Sequence, residues 1–246
     1  MNSKLLPIAA ALLLAACNQQ SDTTQTIQPT ASQPVRQTAS APSNAPAAST
    51  AAPAASDVQA ASGAAASAPA AANSKFKSVD VRKDNIGGDF TLTDGSGKPF
   101  SLSSLKGKVV LLTFGFTNCP DVCPTELLTF NDAFKQLGEQ SKDVAAVFVS
   151  VDPDRDTPEL IGRYAAQFNP AFIGLTDTNG GRDIAVVKQQ YRIVSARTDI
   201  KSDRIYNVDH SSGTYIIDKK GEAAVFVPFG ADATQIAGDI RKLLAE

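Results

Sequence analysis

The chain has 246 residues, of which 43% are hydrophobic, and its formal net charge at pH 7 is −2. Because there is no excess of basic residues, the composition argues against nucleic acid as a partner. The chain contains three cysteines, one histidine and a single methionine, Met1, which excludes a methionine-rich metal site.

The amino terminus has the features of an export signal. Lys4 precedes an apolar run over residues 5–16 that is too short to span a bilayer as a permanent helix. The letters LAAC at 14–17 resemble the processing site of bacterial lipoproteins, in which the cysteine is lipidated. We therefore predict a signal peptide at 1–16 and a lipid on Cys17, giving an exported, membrane-anchored lipoprotein that faces the periplasm or the outer surface. The alternative is an ordinary signal peptide that leaves Cys17 free or removes it.

The next segment, residues 18–73, consists mainly of Ala, Ser, Thr and Pro, and only Asp22, Arg36 and Asp57 are charged. It has few large apolar side chains with which to offset the conformational entropy lost on folding. We predict that residues 17–73, including Cys17, form a disordered tether with an end-to-end span of about 40 Å. The remaining residues, 74–246, suffice for one domain with a hydrophobic core.

The first half of this domain predicts a parallel strand pair. Residues 88–100 alternate and then turn, which indicates an N-terminal β-hairpin. Continuous apolar runs at 109–116 and 144–151 indicate buried strands, and helical patterns follow them at about 124–137 and 157–168. The order strand, helix, strand, helix predicts a right-handed parallel crossover.

The second half predicts further strands and helices. They are a short strand or connector at 172–175, a helix at 182–190, a strand at 191–196, an antiparallel hairpin at 213–218 and 222–227, and an amphipathic C-terminal helix around 236–244. A parallel βαβ unit followed by a terminal ββα unit is the thioredoxin-like arrangement. We therefore predict an α/β fold with a thioredoxin-like mixed central sheet flanked by helices.

Cys119 and Cys123 lie at the turn between the first buried strand and its helix. Unpaired amides and the dipole at a helix N-terminus favour a thiolate, the form that attacks disulfides and binds metals. In a full helix the two Cβ atoms would be about 5–6 Å apart, which is too far for a disulfide, but a turn can bring them closer. The pair can therefore close as a redox disulfide, Cys119–Cys123, or hold a soft metal ion. The alternative is a purely structural disulfide.

His210 is the only histidine, and it immediately precedes the strand predicted at 213–218. In the thioredoxin topology the loop that enters this strand faces the cysteine turn. Two thiolates and one imidazole form a soft set that suits Cu(I), and an open fourth position would suit Cu(II). Structural zinc would require a fourth protein ligand. Taken alone, a single histidine is more often a surface residue or a neighbour of a site than a ligand; together with the cysteines, His210 is interpreted as a metal ligand.

Three segments resemble the Sco/SenC family: TFGFTNCPDVCP at 113–124, VDPDRDTPE at 151–159 and VDHS at 208–211. These are membrane-tethered, thioredoxin-like copper-binding proteins that assist assembly of the dicopper site of cytochrome oxidase. The resemblance covers about residues 88–243 and implies that Cys119, Cys123 and His210 are copper ligands. It also implies an exported copper acceptor, an oxidase subunit, as partner. Family members are commonly held by a transmembrane helix, so the predicted lipid on Cys17 is a variation.

Two functions remain open from the sequence. The first is a metallochaperone that delivers copper to an oxidase copper site, or prepares the cysteines of that site. The second is a thiol-disulfide oxidoreductase that acts with a thiol reductant in oxidative-stress defence, because the family is divided between these roles. Asp209 and Asp121 are candidates for orienting or tuning the site, with capping or solvated loop roles as alternatives. Residues 152–156 are interpreted as leading into the helix that begins near Thr157.

Overall fold

The computed structural model describes residues 75–246, so the predicted signal peptide, Cys17 and the whole predicted tether lie outside the described residues. No helix within these residues has the length and apolar character needed to cross a membrane. In chain order the elements are β1 (Val79–Asp80), β2 (Thr91–Asp94), β3 (Pro99–Ser101), β4 (Val109–Gly115), α1 (Val122–Leu137), β5 (Val144–Ser150), α2 (Pro158–Phe168), β6 (Ile173–Thr176), α3 (Arg182–Gln190), β7 (Ser195–Thr198), β8 (Asn207–His210), β9 (Thr214–Ile217), β10 (Ala223–Val227) and α4 (Ala233–Leu244).

Eight of these strands form one mixed sheet in the order β1-β10-β9-β4-β5-β6-β2-β3. The β4–β5 and β5–β6 pairs are parallel, and the β4–β9 and β9–β10 pairs are antiparallel. The parallel βαβ unit and the terminal ββα unit are therefore both present, and the predicted fold class is confirmed. The predicted N-terminal hairpin is also present as β2–β3, and it extends the same sheet next to β6.

The central strand β4 is buried along its whole length and separates two hydrophobic cores. Val109 and Leu111 pack into the core formed with α1, α2 and α4, while Val110 and Leu112 pack into the core that includes α3. Because side chains alternate along a strand, Thr113 and Gly115 continue the face that meets α1. These two small residues stand where α1 begins, which leaves room for its first turn.

Two parts of the sequence prediction are wrong between α3 and β9. The strand predicted at 191–196 starts later, at Ser195, because Tyr191 and Arg192 turn the chain after α3 and Arg192 adopts a positive φ of 53°. The second error is that His210 ends a strand, β8, instead of lying in a loop. β7 and β8 pair antiparallel, with Ser195 opposite His210, and form a two-stranded sheet separate from the central one.

Candidate metal centre

Cys123 lies in the first turn of α1, and its side chain is only 1% exposed. The thiol occupies the space above Gly115 in β4. A Cβ atom at position 115 would lie 2.6 Å from Cys123 Sγ and 2.6 Å from the ring of Phe148. A glycine at 115 is therefore what allows the thiol to sit against the end of the central strand.

The structure brings Cys123 into contact with His210, 87 residues further along the chain. Cys123 Sγ is 3.9 Å from His210 Nε2. Sulfur and nitrogen ligands of one metal ion would be about 3.5–3.8 Å apart, given usual bond lengths and tetrahedral to trigonal angles. His210 Nδ1 is 2.9 Å from the carbonyl oxygen of Ser211, so in the neutral imidazole Nδ1 carries the proton and donates it to that oxygen. The lone pair of Nε2 then faces the sulfur of Cys123.

Cys119 lies next to the backbone of Cys123 and is half-buried. Its Sγ accepts a hydrogen bond from the amide of Cys123 at 3.5 Å, and its own amide donates to the carbonyl of Phe116 at 3.2 Å. Both cysteines are free thiols. Within residues 75–246, no three Cys, His, Asp or Glu side chains are grouped so as to hold a metal ion. Two of the three predicted ligands, Cys123 and His210, are thus in contact, and the sulfur of Cys119 contacts the backbone of Cys123.

The environment of Cys123 favours the protonated thiol, whereas the sequence predicts a thiolate. Burial raises the pKa of the Cys123 thiol far above that of an ordinary cysteine, and the backbone at Phe116 opposes this only in part. The predicted preference for a thiolate at the helix N-terminus is therefore outweighed at Cys123. A metal ion that binds this sulfur must displace the thiol proton.

Glu126 is a residue near the site that sequence reasoning missed. Its Oε2 accepts a hydrogen bond from Thr113 Oγ1 at 2.8 Å, and its Oε1 accepts one from Thr214 Oγ1 at 2.6 Å. Burial raises the pKa of this carboxyl, and the two threonine hydrogen bonds and the charge of His210 act in the opposite direction. Glu126 thus ties α1 to β4 and β9 below the cysteine turn. The sequence could have identified Glu126 as a neighbour of the site, because it follows Cys123 by three residues and therefore lies on the same helix face.

The segment 151–159 contributes more than the start of a helix. Thr157 does cap α2, since its Oγ1 accepts a hydrogen bond from the amide of Leu160 at 3.3 Å. Asp156, however, binds the loop that precedes Cys119. It accepts hydrogen bonds from the amide and hydroxyl of Thr117, at 3.1 and 2.5 Å, and from Ser150 Oγ at 2.6 Å. Asp156 therefore fixes the entry to the cysteine turn.

The candidate site opens into a groove with a volume of about 370 Å³. Asp121 and Asp209 both line this groove and are exposed. Among the described residues, neither carboxylate forms a hydrogen bond with Cys119, Cys123 or His210. The structure thus places the two acidic residues at the mouth of the site, where a partner can reach them.

Comparison with known proteins gives consistent matches. The family model SCO1/SenC matches residues 79–245. The SCO2-like protein of Rickettsia felis is 41% identical over 147 residues, which cover 58% of this chain and 71% of that protein. The structure of Bradyrhizobium japonicum ScoI with copper bound has 37% identity and a TM-score of 0.59, covering 65% of this chain and 99% of that one. A SCO1/SenC family lipoprotein from Bacillus anthracis has 30% identity and a TM-score of 0.55, covering 65% and 95%. These structures share the mixed α/β fold described above.

Proposed function

Because this chain belongs to the SCO1/SenC family, we propose that it binds copper through Cys119, Cys123 and His210 and passes it to an exported acceptor, a respiratory oxidase subunit. The observation that carries the proposal is the 3.9 Å contact between Cys123 Sγ and His210 Nε2. The copper bound to the similar ScoI supports the choice of metal. The acceptor is proposed on the basis of the family resemblance.

The donor set fits copper better than zinc. Two thiolates and one imidazole with its Nε2 lone pair available are soft and intermediate ligands, which Cu(I) and Cu(II) accept in three- and four-coordinate geometries. A structural zinc site would require a fourth protein ligand. His210 is the only histidine, and the one other cysteine, Cys17, is the predicted lipid anchor.

The two proposed cysteine ligands differ in exposure, which indicates how cargo is held and released. Cys123 is buried and already in contact with His210, so these two residues form the retaining half of the site. Cys119 is half-buried and lines the groove, so an incoming thiol of the acceptor can replace it before the buried Cys123. Cys123 takes up a proton again as the cargo leaves, because burial favours its thiol form.

The membrane anchor belongs to the same proposal. A lipid on Cys17 and a tether of residues 17–73 would let the domain reach about 40 Å from the membrane surface. One structural relative, from Bacillus anthracis, is described as a lipoprotein, which supports this mode of attachment.

Removing the imidazole tests the three-ligand site. We expect His210→Ala to lower Cu(I) affinity by at least about 10- to 100-fold, since losing a ligand should cost no less than losing a residue that orients one. The measurement is an anaerobic competition titration of the reduced full-length chain. Asp209→Asn is the matched control, because it changes the exposed neighbour and should bind as the unmodified chain does. Equal affinity of His210→Ala and the unmodified chain would show that the imidazole is not a ligand.

The second candidate function is thiol-disulfide exchange, which the unequal exposure of the two free thiols favours. Cys119 would attack an acceptor disulfide, and Cys123 would then attack the mixed disulfide at Cys119. The acceptor gains two electrons and two protons, and this chain is left with a Cys119–Cys123 disulfide that a thiol reductant must reopen.

Copper chelation separates this reaction from copper delivery. If thiol exchange is the function, the chain should reduce a small disulfide such as oxidised glutathione with a copper chelator present, and Cys119→Ser should abolish the reaction. Thiol release measures the rate, and Cys17→Ser is the control for the third thiol. A rate that depends on added copper, or that survives Cys119→Ser, would argue against this function.

A further inference from the structure

A buried cluster of Asp152, Arg155 and Tyr206 joins the loop after β5 to the β7–β8 hairpin. Arg155 Nε donates to Asp152 Oδ2 at 2.5 Å, and Arg155 Nη1 donates to the carbonyl oxygen of Tyr206 at 2.8 Å. The hydroxyl of Tyr206 donates to Asp152 Oδ1 at 2.6 Å. Each of the three residues therefore contacts the other two.

Ring contacts continue this cluster towards the candidate metal centre. The Cζ atom of Arg155 lies 3.7 Å from the centroid of the Tyr206 ring and 5.8 Å from that of Phe116. Phe116 in turn packs edge-on against the imidazole of His210, with ring centroids 5.9 Å apart. The side chains of Arg155 and Asp152 are only 8% and 1% exposed. Losing one partner of such a pair leaves a buried charge without compensation, so the arrangement constrains geometry strongly.

The hairpin that carries His210 needs such a constraint. β7 and β8 do not pair with the central sheet, and an isolated two-stranded hairpin is at best marginally stable in water. Tyr206 and Val208 are its buried residues, while Asn207 and Asp209 are exposed. Side-chain contacts between the hairpin and the rest of the domain therefore contribute to the position of His210.

We propose that Asp152, Arg155 and Tyr206 form a clamp that sets the position of His210 relative to Cys123. The inference rests on the proposed role of His210 as a ligand. Asp156, the residue after Arg155, fixes the cysteine loop through Thr117, so one short segment orients both halves of the site. Arg155 and Tyr206 are positioning residues that act through the hairpin.

Two substitutions and one matched control test the clamp. Arg155→Lys keeps the positive charge but removes the guanidinium group, whose two nitrogens hydrogen-bond Asp152 and the Tyr206 carbonyl. Tyr206→Phe removes only the hydroxyl and keeps the ring against Arg155, so it serves if Arg155→Lys does not fold. The control is Asp154→Asn, which removes an exposed ion pair between Asp154 and Arg197 of the same hairpin. Such exposed pairs contribute little to stability.

The first readout uses the metal-free full-length chain. We expect hydrogen exchange of the β7–β8 amides to be at least about tenfold faster in Arg155→Lys and a few-fold faster in Tyr206→Phe, with β4 amides unchanged. Because His210 is the only histidine, its imidazole nitrogen signals are unique, and we expect both variants to shift them. Asp154→Asn should match the unmodified chain in both measurements.

The second readout is Cu(I) affinity, which we expect to fall by about 10- to 100-fold in Arg155→Lys, as when an orienting partner of a metal ligand is removed. If the β7–β8 exchange rates and the imidazole signals of Arg155→Lys and Tyr206→Phe match those of Asp154→Asn, the clamp proposal is wrong. Faster exchange with unchanged copper affinity would overturn its positioning role. If the unmodified chain did not bind copper, the proposed function would fail, and the metal-free exchange and imidazole signals would still decide the clamp.

Discussion

Replacing Cys123 with serine is expected to lower Cu(I) affinity by at least about 100-fold, more than any other single substitution at this site. Cys123 is the residue that contacts both of the other proposed ligands: its Sγ is 3.9 Å from His210 Nε2, and its amide donates to Cys119 Sγ. Without its thiolate, only Cys119 and His210 remain of the three proposed ligands. A serine hydroxyl is a hard ligand and does not replace a thiolate for Cu(I).

The titration of Cys123→Ser is best made in a Cys17→Ser background, because Cys17 is the one cysteine outside the proposed site. Circular dichroism melting of the metal-free chain provides the control for folding, since the new hydroxyl is placed in a buried position. Copper binding by a folded Cys123→Ser chain at the original affinity would place the metal centre away from this turn.

The sequence predicted the parts of the fold that depend on local pattern. The continuous apolar runs at β4 and β5 are buried strands, and the helical spacing that follows them gives α1 and α2 nearly to the residue. These elements succeed because burial on both faces of a central strand, and on one face of a helix, leaves a strong periodic signal. Because β4 is followed directly by α1, the sequence also places the two cysteines at the turn between them.

The β7–β8 hairpin could not be predicted in the same way. Its strands are four residues each and mostly polar or charged, so they show little apolar alternation. Only Val208 is buried among the eight residues of the two strands. The hairpin is instead held by single long-range contacts, such as that between Arg155 and the carbonyl of Tyr206, which are 51 residues apart. Spacing along the chain carries no information about such pairs, so the sequence pattern of segment 151–159 predicts only the start of a helix.

The same limit applies to the candidate site. Cys119, Cys123 and His210 were identified by residue type, but the sequence could not show that Cys123 and His210 touch while Cys119 lies beside the helix backbone. Nor could it show that Gly115 makes room for the thiol. The first fact depends on where the β7–β8 hairpin lies against the first turn of α1, and the second on how the end of β4 meets that turn; both are matters of packing between elements.

Gly115→Ala is expected to damage both stability and copper binding. The added Cβ would lie 2.6 Å from Cys123 Sγ and 2.6 Å from the ring of Phe148, and both neighbours are only 1% exposed. Neither can move into solvent, so the strand or the helix must shift. Overpacking of this kind typically costs about 1–3 kcal/mol, and we expect the free energy of unfolding to fall by at least that amount. Displacing Cys123 from His210 should also lower Cu(I) affinity about tenfold or more.

Urea unfolding of the metal-free chain and an anaerobic copper titration measure the two effects. Gly238→Ala is the control: position 238 lies in α4, a Cβ there meets nothing within 4 Å, and alanine should raise stability by up to about 1 kcal/mol. Gly115→Ala should be less harmful in a Cys123→Ala background, because the contact with Sγ is then absent and only that with Phe148 remains. Equal cost in both backgrounds, or no cost in either, would contradict the placement of the thiol against the end of β4.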